Sequence, residues 1–216
     1  MTGIMTSLAR AAGLVAMLGA LSACGSEEQT NPLLLTGKAI KARLTPQDTT
    51  PADPTQVAQQ ALATIQGPVT MIQIPSSGVI GTLQPIETNG VHTTWGSANR
   101  RSLTLVNGFL TGTRGFGQDL MSSDAMQAIG LIVAGKEGRA QHVMRYLTPE
   151  DTITTINATC DIRVTSRTNA KTEMSETCSD GDLSFTNTYT VSGQTIVQAR
   201  QLVSPALGYV TLTRLR

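Results

Sequence analysis

A recurring tight-turn signal limits what this chain can fold into. Asn89-Gly90 and Asn107-Gly108 each separate two apolar runs by residues that accept positive φ, the strongest short-range hairpin signal. Around them Val, Ile and Leu alternate with Thr, which suits a pleated surface with one buried face. The spacing predicts strands over residues 69–74, 79–85, 91–95, 102–106 and 109–113, joined by short turns into an antiparallel meander.

Two segments leave the period of two. Asp53-Pro54 supplies an N-cap and a first-turn proline. Val57, Ala58, Ala61, Leu62 and Ile65 then share one helical stripe, and Gly67-Pro68 stops it. Gly115 and Gly117 flank Phe116 in a stretch that reads as a loop. Ser122 or Ser123 then caps a second helix over 123–134, with Met126, Ile129, Gly130 and Val133 on its buried face and Gly135 at its end. The last third returns to strands, near 139–147, 152–165, 183–191, 194–203 and 208–215. Ile156, Ala158, Cys160, Ile162 and Val164 point inward. Residues 169–179 read as a polar excursion. Leu183, Phe185, Tyr189 and Val191 form the next inward face, with Asn187 as an exception. The expected fold is mostly β: a large antiparallel meander curling toward a barrel or sandwich, with two short helices.

The first residues have a different character. Arg10 precedes an apolar run, 11–23, that falls short of the roughly 20 residues a bilayer span takes. Charge, apolar run and small residues in that order mark a secretory signal. Leu21-Ser22-Ala23-Cys24 resembles the lipobox of bacterial lipoproteins, whose cysteine is acylated and becomes the new N-terminus. The expected organisation is a signal peptide at 1–23, a lipidated tether at 24–50 and a single β-rich domain at 51–216. Within the tether, residues 33–44 are the stretch that can settle on the domain. Without the signal the side-chain charge is close to zero, since the whole chain carries +1 and the signal contains Arg10 and no acid. A balanced domain offers no electrostatic footprint for nucleic acid.

Three cysteines are present. With Cys24 lipidated, Cys160 and Cys178 remain. An even pair in an exported chain is expected to form a disulfide; free thiols or a metal pair are the alternative. Neither cysteine has a histidine close in sequence and there is no CxxC, so no metal or cofactor is expected. His92 and His142 both fall in strands without ligand spacing. There is no HExxH and no GxSxG. A non-enzymatic protein is expected; a Ser/His/Asp set assembled from distant segments is the open alternative. Arg114 and Asp119 flank the glycine loop, placed to pair across it. Arg100-Arg101 follow Trp95, the single tryptophan. These five residues are the candidate contacts for a ligand or partner.

The C-terminal half adds a resemblance. Phe185-Thr186-Asn187-Thr188-Tyr189, Arg200-Gln201-Leu202-Val203-Ser204-Pro205 and Leu207-Gly208-Tyr209-Val210 resemble the ending of the YjbF/GfcB family. Leu103-Thr104-Leu105-Val106-Asn107-Gly108 and Thr113-Arg114-Gly115-Phe116-Gly117-Gln118-Asp119-Leu120-Met121-Ser122 are similar to its central block. Leu202 and Thr190 depart from it, standing where the family commonly carries aromatics. The resemblance implies a lipoprotein of capsule and exopolysaccharide secretion, with no catalytic residues to carry over. On that basis the chain is expected to sit on the periplasmic face of the outer membrane, held by its lipid. There it would be an accessory to polysaccharide assembly or secretion and contact other secretion components. Gly25, rather than Asp, follows the lipid site. The alternative is a periplasmic polysaccharide-binding module, in which Trp95, Arg100, Arg101 and the Arg114–Asp119 loop make one groove.

Overall fold

The computed structural model describes residues 52–216. The signal segment, Cys24, the tether and residues 33–44 lie outside the described residues. Helix α1 (Pro54–Thr64) begins as its sequence requires: Asp53 Oδ1 accepts the Thr55 N–H at 2.9 Å, and Pro54 occupies the first turn. Its stripe packs shallowly. Within the helix Ala61 is buried, while Leu62 is exposed.

Twelve strands follow among the described residues. They are β1 (Thr70–Ile74), β2 (Val79–Asn89), β3 (His92–Gly96), β4 (Ser102–Val106), β5 (Phe109–Arg114) and β6 (Leu120–Asp124). After helix α2 (Met126–Val133) come β7 (Gly138–Leu147), β8 (Ile153–Arg167), β9 (Thr172–Asp180), β10 (Leu183–Ser192), β11 (Thr195–Ser204) and β12 (Gly208–Arg214). All lie in one sheet, ordered β5-β4-β3-β2-β1-β12-β11-β10-β9-β8-β7-β6. Nearly every strand pairs antiparallel with its chain neighbour. β1 pairs with β12, placing Thr70 opposite Arg214. The sheet edges, β5 and β6, also meet, but through side chains. The Leu120 N–H donates to Thr113 Oγ1 at 2.9 Å, and the Arg114 guanidinium donates to the carbonyls of Leu120 and Met121. The meander therefore nearly closes into a barrel.

Turn chemistry sets the registers. Asn107 (φ 50°) and Gly108 (φ 90°) form the two-residue loop between β4 and β5. At the other Asn-Gly the loop is one residue later. Asn89 pairs with His92, Gly90 takes φ 59°, and Val91 sits exposed at the second loop position. β2 is also longer than expected, because a bulge at Pro85–Glu87 lets the strand continue past a proline that cannot donate to the ladder.

Three expectations are corrected. Ser122 and Ser123 do not cap α2; they belong to β6, and the N-cap of α2 is Ala125 with no side-chain cap. The buried face of α2 is Ala128, Ile129 and Ile132, with Ala125 at the cap, while Met126 is half exposed. The helix carries two apolar stripes, and the one with small alanines permits close approach to the sheet. Residues 172–180 are no excursion: β9 pairs on both sides, and Met174, Glu176 and Cys178 point inward.

The interior is filled with side chains. Leu83, Leu103, Leu110, Leu120, Met144, Ile156 and Leu212 make one cluster. Phe109, Ile129, Ile132, Ile162, Met174, Tyr189 and Ile196 make another beneath α2. The β4–β5 hairpin bends across to β11: the Ile196 N–H donates to Asn107 O, and the Leu110 N–H donates to the buried Gln201 Oε1. Outward positions on β7 and β8 carry Arg139, Gln141, Asp161 and Arg163, whereas a lipid-facing barrel needs an apolar outer band.

Candidate functional site

A polar cluster lies inside the sheet. His142, on β7, sits opposite Ala158 on β8, and its chain neighbour on the same face is Ala140. Two methyl side chains leave room for the imidazole to lean over the sheet. It reaches Glu176 on β9, with Nδ1 and Oε1 3.1 Å apart. Its Nε2 stands 2.8 Å from Ser123 Oγ on β6. Glu176 Oε2 accepts from Asn187 Nδ2 at 2.8 Å and from the Tyr189 hydroxyl at 2.6 Å, both on β10. Asn187 Oδ1 accepts the Leu202 N–H. Phe109 lies 5.5 Å from both the His142 and Tyr189 rings, and Phe185 meets His142 edge-on.

Burial decides the chemistry of this cluster. Glu176 and Asn187 are 0 % exposed, His142 is 2 % and Ser123 is 9 %. Burial alone pushes the Glu176 carboxyl up. The hydrogen bond and charge of His142, with the bonds from Asn187 and Tyr189, outweigh it and hold the carboxyl below its ordinary value. An ionised carboxylate only accepts, so the proton between the two lies on His142 Nδ1. Burial, then the Glu176 charge, raises the Tyr189 hydroxyl well above its usual value. Among the described residues no buried side-chain nitrogen or oxygen lacks a partner, so the network is complete.

Ser123, His142 and Glu176 stand in the hydrogen-bond order of a hydrolytic triad. A triad must also bring a carbonyl to about 3 Å from its nucleophile. Ser123 lies within a strand with its hydroxyl turned into the core. The three groups form a closed internal hydrogen-bond set rather than the floor of a cleft.

The disulfide is adjacent. Cys160 and Cys178 are directly opposed on β8 and β9 and are bonded, both 0 % exposed. One ligand atom from each of His142, Cys160, Glu176 and Cys178 lies within 4.8 Å of every other. Sequence distance hides this, because the three strands supply the residues from 142 to 178. A usable signal exists nonetheless. Once Cys178 points inward, a period of two places Glu176 inward as well. The same phase on β10 places Asn187 between Phe185 and Tyr189, so it is not an exception on that face.

The five candidate contacts occupy two places. Trp95 faces inward beside Leu103 and lines a partly open cavity of about 200 Å³ with Thr93, Leu105, Ile196, Leu212 and Arg214. Arg100 and Arg101 line a different, shallower depression of about 430 Å³. They adjoin the glycine loop, where Arg101 lies over the Phe116 ring at 5.5 Å. Arg114 and Asp119 form no ion pair: Arg114 donates to backbone carbonyls, and Asp119 accepts the Gly115 and Phe116 N–H groups and the Thr113 hydroxyl. Both shape the loop at the barrel seam. A contact missed from sequence is Arg200 over the Tyr209 ring at 3.5 Å.

The family model described as group 4 capsule polysaccharide lipoprotein gfcB, YjbF matches residues 32–215. A crystal structure of the hypothetical lipoprotein YmcC from Escherichia coli (K12) superposes with a TM-score of 0.64 at 13% identity, covering 88% of this chain and 97% of that one. At that identity the likeness shows the fold. No curated protein sequence matches.

Proposed function

Because this chain belongs to the YjbF family of group 4 capsule polysaccharide lipoproteins, we propose that it is a non-enzymatic accessory of capsule or exopolysaccharide assembly and secretion. It is anchored by lipid on Cys24 to the periplasmic face of the outer membrane. The family match over residues 32–215 carries this reading. The closed core supports it, since the hydroxyl, imidazole and carboxylate that line up inside bond to one another. The role then rests on the outer surface and the anchor, through contacts with other secretion components. Deleting the gene tests it: polymer should be made but should fail to reach the cell surface. Normal surface polymer in the deletion strain would overturn the reading.

A second reading has one observation in its favour. The Trp95 cavity carries threonine hydroxyls, a tryptophan face and Arg214, which suits a short stretch of acidic sugar. Trp95 is the single tryptophan, so its fluorescence reports on that cavity alone. A saturable change on titration with the native polymer would favour this binding role; a flat response favours the accessory role.

A further inference from the structure

We propose that the dithiol form of this protein holds one zinc ion between Cys160, Cys178, His142 and Glu176. These residues offer two sulfurs, one imidazole nitrogen and one carboxylate oxygen, all within 4.8 Å of each other. Zinc bonds of about 2.0–2.3 Å put tetrahedral donors roughly 3.3–3.8 Å apart. Once reduced, the two bonded sulfurs must part to that spacing, while the other donors need to close by about 1 Å at most, both within reach of side-chain rotation. The donor set is mixed sulfur, nitrogen and oxygen, which zinc accepts and calcium or magnesium do not.

The surrounding bonds are those a metal site needs. Ser123 Oγ meets the imidazole nitrogen that faces away from Glu176. Asn187 and Tyr189 occupy Glu176 Oε2, leaving Oε1 as the oxygen facing His142. Outer partners of this kind fix ring orientation and ligand basicity. Charge points the same way. Two thiolates beside a carboxylate in a core with 0 % exposure need a cation, so the reduced pair stays as neutral thiols until a divalent ion binds and offsets most of that charge.

A small dithiol reduces the Cys160–Cys178 bond by two electrons and two protons and becomes a disulfide itself. Zinc then binds the two thiols and displaces their two protons, while the imidazole proton moves from Nδ1 to Nε2, where Ser123 Oγ accepts it. The small disulfide runs both steps in reverse: it takes the two electrons and two protons to become the dithiol, the Cys160–Cys178 bond re-forms and the ion is released.

The test uses the full chain, reduced with excess dithiothreitol, desalted without oxygen and titrated with cobalt(II) and then zinc. Reduced protein should bind one cobalt per chain, with thiolate charge-transfer and tetrahedral visible bands, and zinc should displace it. Oxidised protein should bind none. X-ray absorption of the zinc form, which needs no mutant, should show two sulfur and two nitrogen or oxygen neighbours. His142→Ala, and Glu176→Gln as the milder variant, should weaken binding by more than the roughly 10–100-fold that loss of an outer partner costs. Four outcomes would overturn the proposal. The reduced, folded chain binds no cobalt. The coordination shell lacks two sulfurs. The metal affinity is unchanged in both variants. The reduced chain loses its sheet signal and one equivalent of zinc fails to restore it.

Discussion

Replacing His142 by alanine leaves Glu176 Oε1 buried without its hydrogen-bond partner, and an unsatisfied buried charged group costs about 3 kcal/mol. Urea denaturation should show a loss of that size. The pH dependence follows from the directions of the two shifts. Glu176 is held below its unfolded value of about 4.3. Its contribution is therefore present above that pH and lost as pH falls through the lower folded value. The acid limb of the stability curve should flatten in Glu176→Gln. Tyr189 is raised above its unfolded value of about 10. Its contribution is present below pH 10 and lost as pH rises beyond it. Of the three tyrosines, one should ionise only with alkaline unfolding, seen as a step in the ultraviolet titration that coincides with loss of the sheet signal. None of these side chains announces itself in the sequence. Glu176 lies in a stretch dominated by polar residues, and its inward phase is fixed by Cys178 two positions on and by pairing on both sides of its strand.

Among the elements, the β4–β5 hairpin is the one whose turn must be glycine for two reasons. Gly108 has φ 90°, and a Cβ there would overlap the Ile196 carbonyl of β11. Gly90, at the β2–β3 turn, has φ 59° and open space around it. Gly108→Ala should therefore cost more than Gly90→Ala, the latter paying only the roughly 1–3 kcal/mol of a left-handed conformation. Thermal melts of the pair separate strain from collision. The Cys160–Cys178 bond closes a sequence separation of 18, worth about 3 kcal/mol in the chain-entropy model, and the Cys160→Ala/Cys178→Ala chain should lose about that much. Elements of this kind were legible where local chemistry decides them: Asp53-Pro54 at α1, Asn107-Gly108 at its turn, the inward alternation of Ile156, Ala158 and Cys160. They were not legible where packing decides. β6 was hidden because Ser122 and Ser123 suit a helix cap, and the docking face of α2 was chosen by the sheet beneath it from two apolar stripes.

At the scale of the whole molecule the sequence foretold a meander but left open whether it would close. Closure depends on β1 meeting β12 and on a seam at β5 and β6 made by Thr113, Arg114, Asp119 and Leu120. Neither has a local signal. Attachment belongs to this scale too: Cys24→Ala should abolish metabolic lipid labelling and membrane association, and survival of both would remove the anchor from the proposed role. The β1–β12 pairing also carries a consequence for how the protein is made. Synthesis runs from N to C, so β1 emerges well before its outer partner. Until residues 208–214 arrive, Thr70, Met71, Ile72 and Gln73 present a bare hydrogen-bonding edge, and a bare edge recruits other chains. A chain terminated before Gly208 should accumulate as aggregates by light scattering even though all but one of the described strands are intact. β12 thus acts as the latch on the strands translated before it.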